Sequence, residues 1–202
     1  MSTVRLESFS DGVMAVAITL LALDIGVPNP ASTPHLGHAL AEQWPVYAAY
    51  ATSFLTIGII WINHHVAIGR LARVDHSIVM LNIVLLASVA VIPFGTALLA
   101  KYLKQGHGEN LAAAVYGGTL MLMAVAFTAL NRQILFGRAH LLRTQLSHEL
   151  RRRIFLRSFS GVIPYVLATA LAAVSPYITL GMSAALAAFY ATPLSSGIAE
   201  ER

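Results

Sequence analysis

Ionisable, hydroxyl and imidazole side chains fall inside apolar runs at two places in this 202-residue chain. The first is Arg5, Glu7, Ser8, Ser10 and Asp11, leading straight into the apolar stretch from Gly12 to Leu23; the second is Trp61-Ile62-Asn63-His64-His65. A carboxylate at bilayer depth costs roughly 2.5–3.5 kcal/mol at a helix centre on insertion scales, so Asp11 needs partners and marks a site. Residues of these types suit a hydrogen-bonded brace between helices, a proton relay, a metal site or a nucleophile. Adjacent imidazoles point about 100° apart on a helix, so His64 and His65 cannot grip one ion between them, and no metal site is expected. Ser10 and Asp11 are neighbours and no nucleophile elbow is present, so the chain does not read as an enzyme. Zero cysteines remove thiolate chemistry and disulfides. Two uses remain. One is a brace in which Arg5, Ser10 and Asp11 bond to Asn63, His64 or His65 and to Asn82; the other is a relay through Asp11 and the His64/His65 pair.

The elements that must position these groups are membrane spans. Hydrophobic residues make up 57% of the chain and charged ones only 11%, far from the quarter or so typical of soluble domains. About 20 apolar residues cross the hydrocarbon as a helix, which predicts a single all-α domain over 1–202 with six spans near 6–25, 44–68, 78–100, 111–135, 155–174 and 177–194. Glu7 and Asp11 interrupt the first run where a cleaved signal peptide needs an unbroken apolar core, so it is expected to stay as a span. Pro93 and Pro164 lie inside spans and should kink them, and Ser175-Pro176 should turn the last two into a hairpin. Eleven basic residues (Arg5, Arg70, Arg73, Arg132, Arg138, Arg143, Arg151, Arg152, Arg153, Arg157 and Arg202) fall on one side of this arrangement, and only Lys101 and Lys104 on the other. The positive-inside rule then places both termini in the cytoplasm of a multi-pass cell-membrane protein, and six spans are consistent with that.

Advancing about 100° per residue along the first span gathers Ser8, Gly12, Ala15, Val16, Thr19, Leu23 and Gly26 on one stripe, with Ser10 opposite. Small residues and one hydroxyl in a row suit close helix packing, and they equally suit the wall of a permeation path. The pattern serves both.

The run Arg5-x-x-x-Phe9-Ser10-Asp11 at the start of the first of six spans, with Trp61-Ile62-Asn63-His64-His65 ending the second, resembles the signature of the transmembrane protein 175 family of potassium channels. The resemblance covers the whole chain. It implies a homotetramer with four copies of the first helix around a central pore, potassium as the permeant ion and no cofactor. It also implies that side chains five, eight and twelve residues beyond the motif aspartate set the constriction and selectivity, here Val16, Thr19 and Leu23; Gly12 and Ala15, on the same helical stripe, are then expected to face the pore beside them. The same resemblance supports a structural network of Arg5, Phe9, Ser10, Asp11, Asn63, His64, His65 and Asn82. Val16 stands where a bulkier Ile or Leu is expected, so either Leu23 forms the gate or the Val16 layer closes by helix rotation. No Thr-Val-Gly-Tyr-Gly run is present to form a carbonyl filter, so selectivity must come from side chains.

A proton-linked secondary carrier is the rival reading, although it would favour paired halves and broken spans, and no internal repeat is evident. The stretch 131–153 reads as an arginine-rich cytoplasmic connector carrying an amphipathic helical turn, with Leu141, Leu142, Leu146 and Leu150 on one side. Arg151-Arg152-Arg153 reads as a solvated flank or a contact for anionic lipids, not as a nucleic-acid site. Trp44, Trp61, Tyr102 and Tyr177 read as interfacial anchors, and His35 and His38 as loop residues outside the membrane.

Overall fold

A backbone in hydrocarbon must satisfy its own N–H and C=O groups, and long apolar runs therefore form helices. The computed structural model describes residues 2–30 and 35–191. It contains α1 (Thr3–Leu20), which continues as a 3₁₀ turn over Leu21–Asp24, then α2 (Leu36–Glu42) and α3 (Trp44–Gly69). These are followed by α4 (His76–Ala90), α5 (Ile92–Tyr102), α6 (Glu109–Arg132), α7 (His148–Ser160), α8 (Val162–Leu171) and α9 (Pro176–Ala191). No β-strand occurs among the described residues; Leu71 and Leu142 form an isolated antiparallel bridge. Side-chain caps open α1, α4 and α7: the Ser2, Asp75 and Ser147 oxygens accept the backbone N–H of Arg5, Ile78 and Leu150. Pro45 sits at the start of α3, where a missing N–H costs nothing.

Five segments are long and apolar enough to cross a membrane: Thr3–Asp24, Trp44–Gly69, His76–Tyr102, Glu109–Gly137 and His148–Leu171. The shorter Pro176–Ala191 supplies the sixth, and its expected end at Leu194 lies outside the described residues, as does Arg202. The third span is interrupted at Val91 and the fifth at Gly161, just ahead of Pro93 and Pro164. Each proline lacks the N–H that the carbonyl four residues earlier would accept, and its ring crowds that carbonyl. Near the second break, Thr128 Oγ1 lies 2.8 Å from the Ala124 carbonyl of its own helix and 3.2 Å from the Ser158 carbonyl, so its one hydrogen is shared between them.

α6 is the axle of the bundle. In its most apolar stretch 56% of residues are buried, against 28% for the first span and 11% for the fifth. Close approach makes this possible: a Cβ on Gly117 would lie 2.7 Å from Thr169 Oγ1 and 3.1 Å from Thr169 Cα on α8. The hydroxyls inside the bundle satisfy one another, with Ser53 Oγ 2.8 Å from Thr96 Oγ1 and 3.2 Å from Tyr116 OH. That pairing removes most of the penalty for polar groups away from water.

The connector after α6 is not the amphipathic surface turn that its leucines suggest. It forms a π turn at Gln133–Gly137 and a 3₁₀ turn at Ala139–Leu141, then runs extended alongside the α3–α4 link. Ala72 N–H donates to the Leu141 carbonyl and Arg143 N–H to the Arg70 carbonyl, both at 2.8 Å, so Leu141 and Leu142 are buried between the two loops. Leu150 is instead exposed on α7. Pairing with another loop satisfies backbone groups and covers apolar side chains at once, which a lone surface turn cannot do. The Arg138 guanidinium closes the joint by bonding to the Asp75 carboxylate and to Ser77 Oγ.

Two outcomes follow from this packing. Gly117→Ala should lower stability by about 1–3 kcal/mol through overpacking, whereas Gly118→Ala, which meets nothing within 4 Å, should stay within about 0.5 kcal/mol; thermal melts scored by gel filtration compare them. The Asp75 carboxyl titrates below the ordinary aspartate value, first because it accepts the Ile78 N–H and then because Arg138 bonds to it. Its contribution is therefore complete above the unfolded value of about 3.9 and is lost as pH falls through the lower folded value. The gap in melting temperature between wild type and Asp75→Asn should shrink as pH drops through that window.

Candidate functional site

α1 has two unlike sides. Leu6, Ser10, Met14, Ala17 and Leu21 recur at spacings of three and four and are buried against the bundle. Arg5, Ser8, Gly12, Ala15, Val16, Thr19 and Leu23 point away and are exposed. What holds this rotation is a chain of buried polar groups. Ser10 Oγ donates to the Leu6 carbonyl at 2.8 Å and accepts Asn82 Nδ2–H at 2.9 Å. Asn82 Oδ1 in turn lies 2.7 Å from His64 Nε2. An amide oxygen only accepts, so His64 carries its proton on Nε2 in this arrangement. All three residues are fully buried, and they join α1, α3 and α4.

The other polar groups near the first motif do not enter that chain. Asp11 Oδ1 accepts Trp61 Nε1–H at 2.8 Å, and His65 Nδ1 lies 2.5 Å from Glu7 Oε1, an ion-pair distance without hydrogen-bond alignment. Glu7 and Asp11 are one turn apart on α1, as Trp61 and His65 are on α3, so the two contacts form the rungs of an antiparallel ladder. The expectation of a single cluster is corrected accordingly. Asp11 stands about 100° from Ser10 and cannot face the same partners. Asn63 donates instead to its own helix at the Ile59 carbonyl, 3.0 Å away. Phe9 is exposed, and the Arg5 guanidinium is exposed with no partner among the described residues. Glu7 was missed as a site residue, although its spacing of four from Asp11, matched by Trp61 and His65, carried the signal.

On the outward side, Thr19 Oγ1 donates to the Val16 carbonyl at 2.9 Å. The hydroxyl hydrogen is thereby committed, and the oxygen offers only lone pairs to whatever approaches. Val16 and Leu23 flank it with 57% and 77% of their surface exposed, large values for apolar side chains. An open, almost wholly apolar groove of about 500 Å³ runs beside the stripe, lined by Phe9, Val13, Val16, Leu20 and Ala90 among others. No group of three or more His, Asp or Glu side chains among the described residues is placed to hold a metal ion.

A potassium channel of Streptomyces collinus is 45% identical to this chain over 186 residues, covering 92% of it and 90% of the relative, and the family profile described as "Endosomal/lysosomal potassium channel TMEM175" matches residues 5–93. The chain belongs to the TMEM175 family. The matched residues contain the first motif, the Trp61-to-His65 run and Asn82. The crystal structure of a lysosomal potassium-selective channel TMEM175 homologue from Chamaesiphon minutus has the same fold, with a TM-score of 0.84 at 37% identity, covering 96% of this chain and 97% of that one. A longer relative, the endosomal/lysosomal proton channel TMEM175 of Gallus gallus, is 37% identical over 123 residues, which span 57% of this chain and 25% of that protein. TMEM175 is a family of ion channels rather than enzymes, and this member is a membrane protein of the same helical architecture.

In this TMEM175 chain, Asn82→Leu should cost about 1–3 kcal/mol, because it strands the buried His64 N–H without an acceptor and takes from the Ser10 oxygen its one incoming donor, leaving only the Ser10 bond to the Leu6 carbonyl. Trp61→Phe removes one donor from the more exposed Asp11 and should cost less. Melting temperatures of the purified variants give the comparison.

Proposed function

We propose that this chain is one subunit of a homotetrameric potassium channel whose passive path is lined by four copies of α1. One observation carries the reading. The stripe of Gly12, Ala15, Val16, Thr19 and Leu23 is left uncovered while the opposite face of the same helix is clamped by Ser10, Asn82 and His64. A face that is fixed in direction, built from small and apolar residues and bare in the subunit suits a wall completed by other copies.

In this reading Val16 and Leu23 form two apolar rings that strip part of the hydration shell, and Thr19 lies between them. Four Thr19 oxygens, with their hydrogens committed to Val16 carbonyls, present acceptors only. Such a layer compensates a partly dehydrated cation, and it does so more readily for weakly hydrated potassium than for sodium. Leu23, longer and more exposed than Val16, makes the tighter ring. No cofactor takes part, and potassium is the permeant. The arginine-rich side, with both termini, faces the cytoplasm by the positive-inside rule.

A proton-linked carrier finds less support. Asp11 is engaged by Trp61 and His65 by Glu7, while His64 faces Asn82, so these groups sit on different contacts rather than on one relay.

Purified protein in liposomes tests the proposal. Thr19→Ala should lower the potassium-to-sodium permeability ratio about fivefold, equivalent to roughly 1 kcal/mol. Leu23→Ala should raise flux more than Val16→Ala. An unchanged ratio in Thr19→Ala, or a sizing profile of single subunits carrying wild-type flux, would count against it. The absence of cysteine lets a single introduced thiol near either terminus report sidedness directly.

A further inference from the structure

α7 is a peripheral helix with no buried residue, yet its rotation is fixed. Its inner side is tied at three points: Arg151 Nη1 donates to the Leu135 carbonyl at 3.3 Å, Ser158 Oγ accepts Asn131 Nδ2–H at 3.1 Å, and the Phe155 ring meets Phe136 edge-on at 5.9 Å between centroids. Arg153 and Arg157, four residues apart, are thereby turned outward together. Both are exposed. The Arg157 guanidinium has no partner among the described residues, and Arg153 holds only the exposed Glu149, at 2.6 Å. Exposed Leu156, Phe159 and Ile163 accompany them toward the bilayer centre.

Depth decides what can neutralise such a pair. At about 1.5 Å per residue, α7 and α8 rise about 21 Å from Arg157 to Leu171 before the turn into α9, so with that turn at one face of the roughly 30 Å hydrocarbon layer Arg157 lies near the other. Arg157 therefore stands at the boundary between acyl chains and headgroups, where its guanidinium needs an anion and its aliphatic stem can lie along apolar surface. A planar guanidinium binds phosphate through two parallel N–H bonds.

We propose that Arg153 and Arg157 on the outer face of α7 bind the phosphate of an anionic membrane lipid, with the acyl chain lying along Leu156, Phe159 and Ile163. The site rests on the cytoplasmic placement of this side given above. It differs from the sequence expectation of Arg151-Arg152-Arg153, because Arg151 is spent on the Leu135 carbonyl and Arg157 takes its place.

Native mass spectrometry of the purified assembly, delipidated and then offered phosphatidylglycerol or phosphatidylcholine, tests this without any ion gradient, so the channel reading and the lipid site stand or fall separately. Wild type should prefer phosphatidylglycerol. Arg153→Gln with Arg157→Gln should reduce that preference about tenfold or more, the order expected for two juxtamembrane charges, while Lys101→Gln with Lys104→Gln should retain it. The site is overturned if wild type holds both lipids equally, if the arginine variant keeps the wild-type preference, or if the lysine variant loses it equally. It is also overturned if millimolar inorganic phosphate displaces the lipid, which would point to a soluble anion. A change in assembly mass in the arginine variant would overturn it too, since a protein contact would then occupy the face.

Discussion

The direction in which α1 faces depends on one buried chain of hydrogen bonds, from Ser10 through Asn82 to His64. Each member has a specific role, Ser10 as acceptor from the amide and Asn82 as acceptor from the imidazole, and hydrocarbon offers no replacement partners. Turning α1 by one residue would carry Ser10 about 100° away from Asn82 and bring Phe9 or Asp11 toward the interior. The helix is thus held in rotation by polar groups and not by its apolar residues alone, which would tolerate slippage. The Glu7–His65 and Asp11–Trp61 contacts, on the flank toward α3, add a second restraint in the same sense.

This clamp has something rigid to act against because α6 fills the centre of the subunit. Glycine at 117 lets α8 approach closely, and the hydroxyls of Ser53, Thr96 and Tyr116 bind one another across α3, α5 and α6. The two proline-associated breaks fall on the third and fifth spans, whereas α1 runs unbroken into its terminal 3₁₀ turn. On the arginine-rich side, the paired loops at 70–72 and 141–143 and the Arg138–Asp75 contact tie the α3–α4 link to the connector after α6.

Much of this is legible in the sequence, and the parts that are not share a physical reason. Long apolar runs and the one-sided distribution of arginine give helices and spans directly, because both follow from local composition. The two sides of α1 follow from the angle between successive residues, which also sets Ser10 opposite Thr19. What a helical wheel lacks is the identity of the neighbour. The sequence offers several partners for Ser10, and only packing selects Asn82 over Asn63, whose amide turns back to its own helix. The connector after α6 departs from its leucine pattern because that pattern specifies an apolar side but not the loop that covers it. Arg151 illustrates the same limit: it is adjacent in sequence to Arg152 and Arg153, yet a carbonyl on the π turn draws it inward.

The bare stripe on α1 has a further consequence. Its residues contribute almost nothing to the interior of the subunit, so exchanging one for another leaves the folding equilibrium nearly untouched. In the proposed channel this latitude would let a change at Val16 resize the aperture one side chain at a time while the surrounding architecture stays as it is.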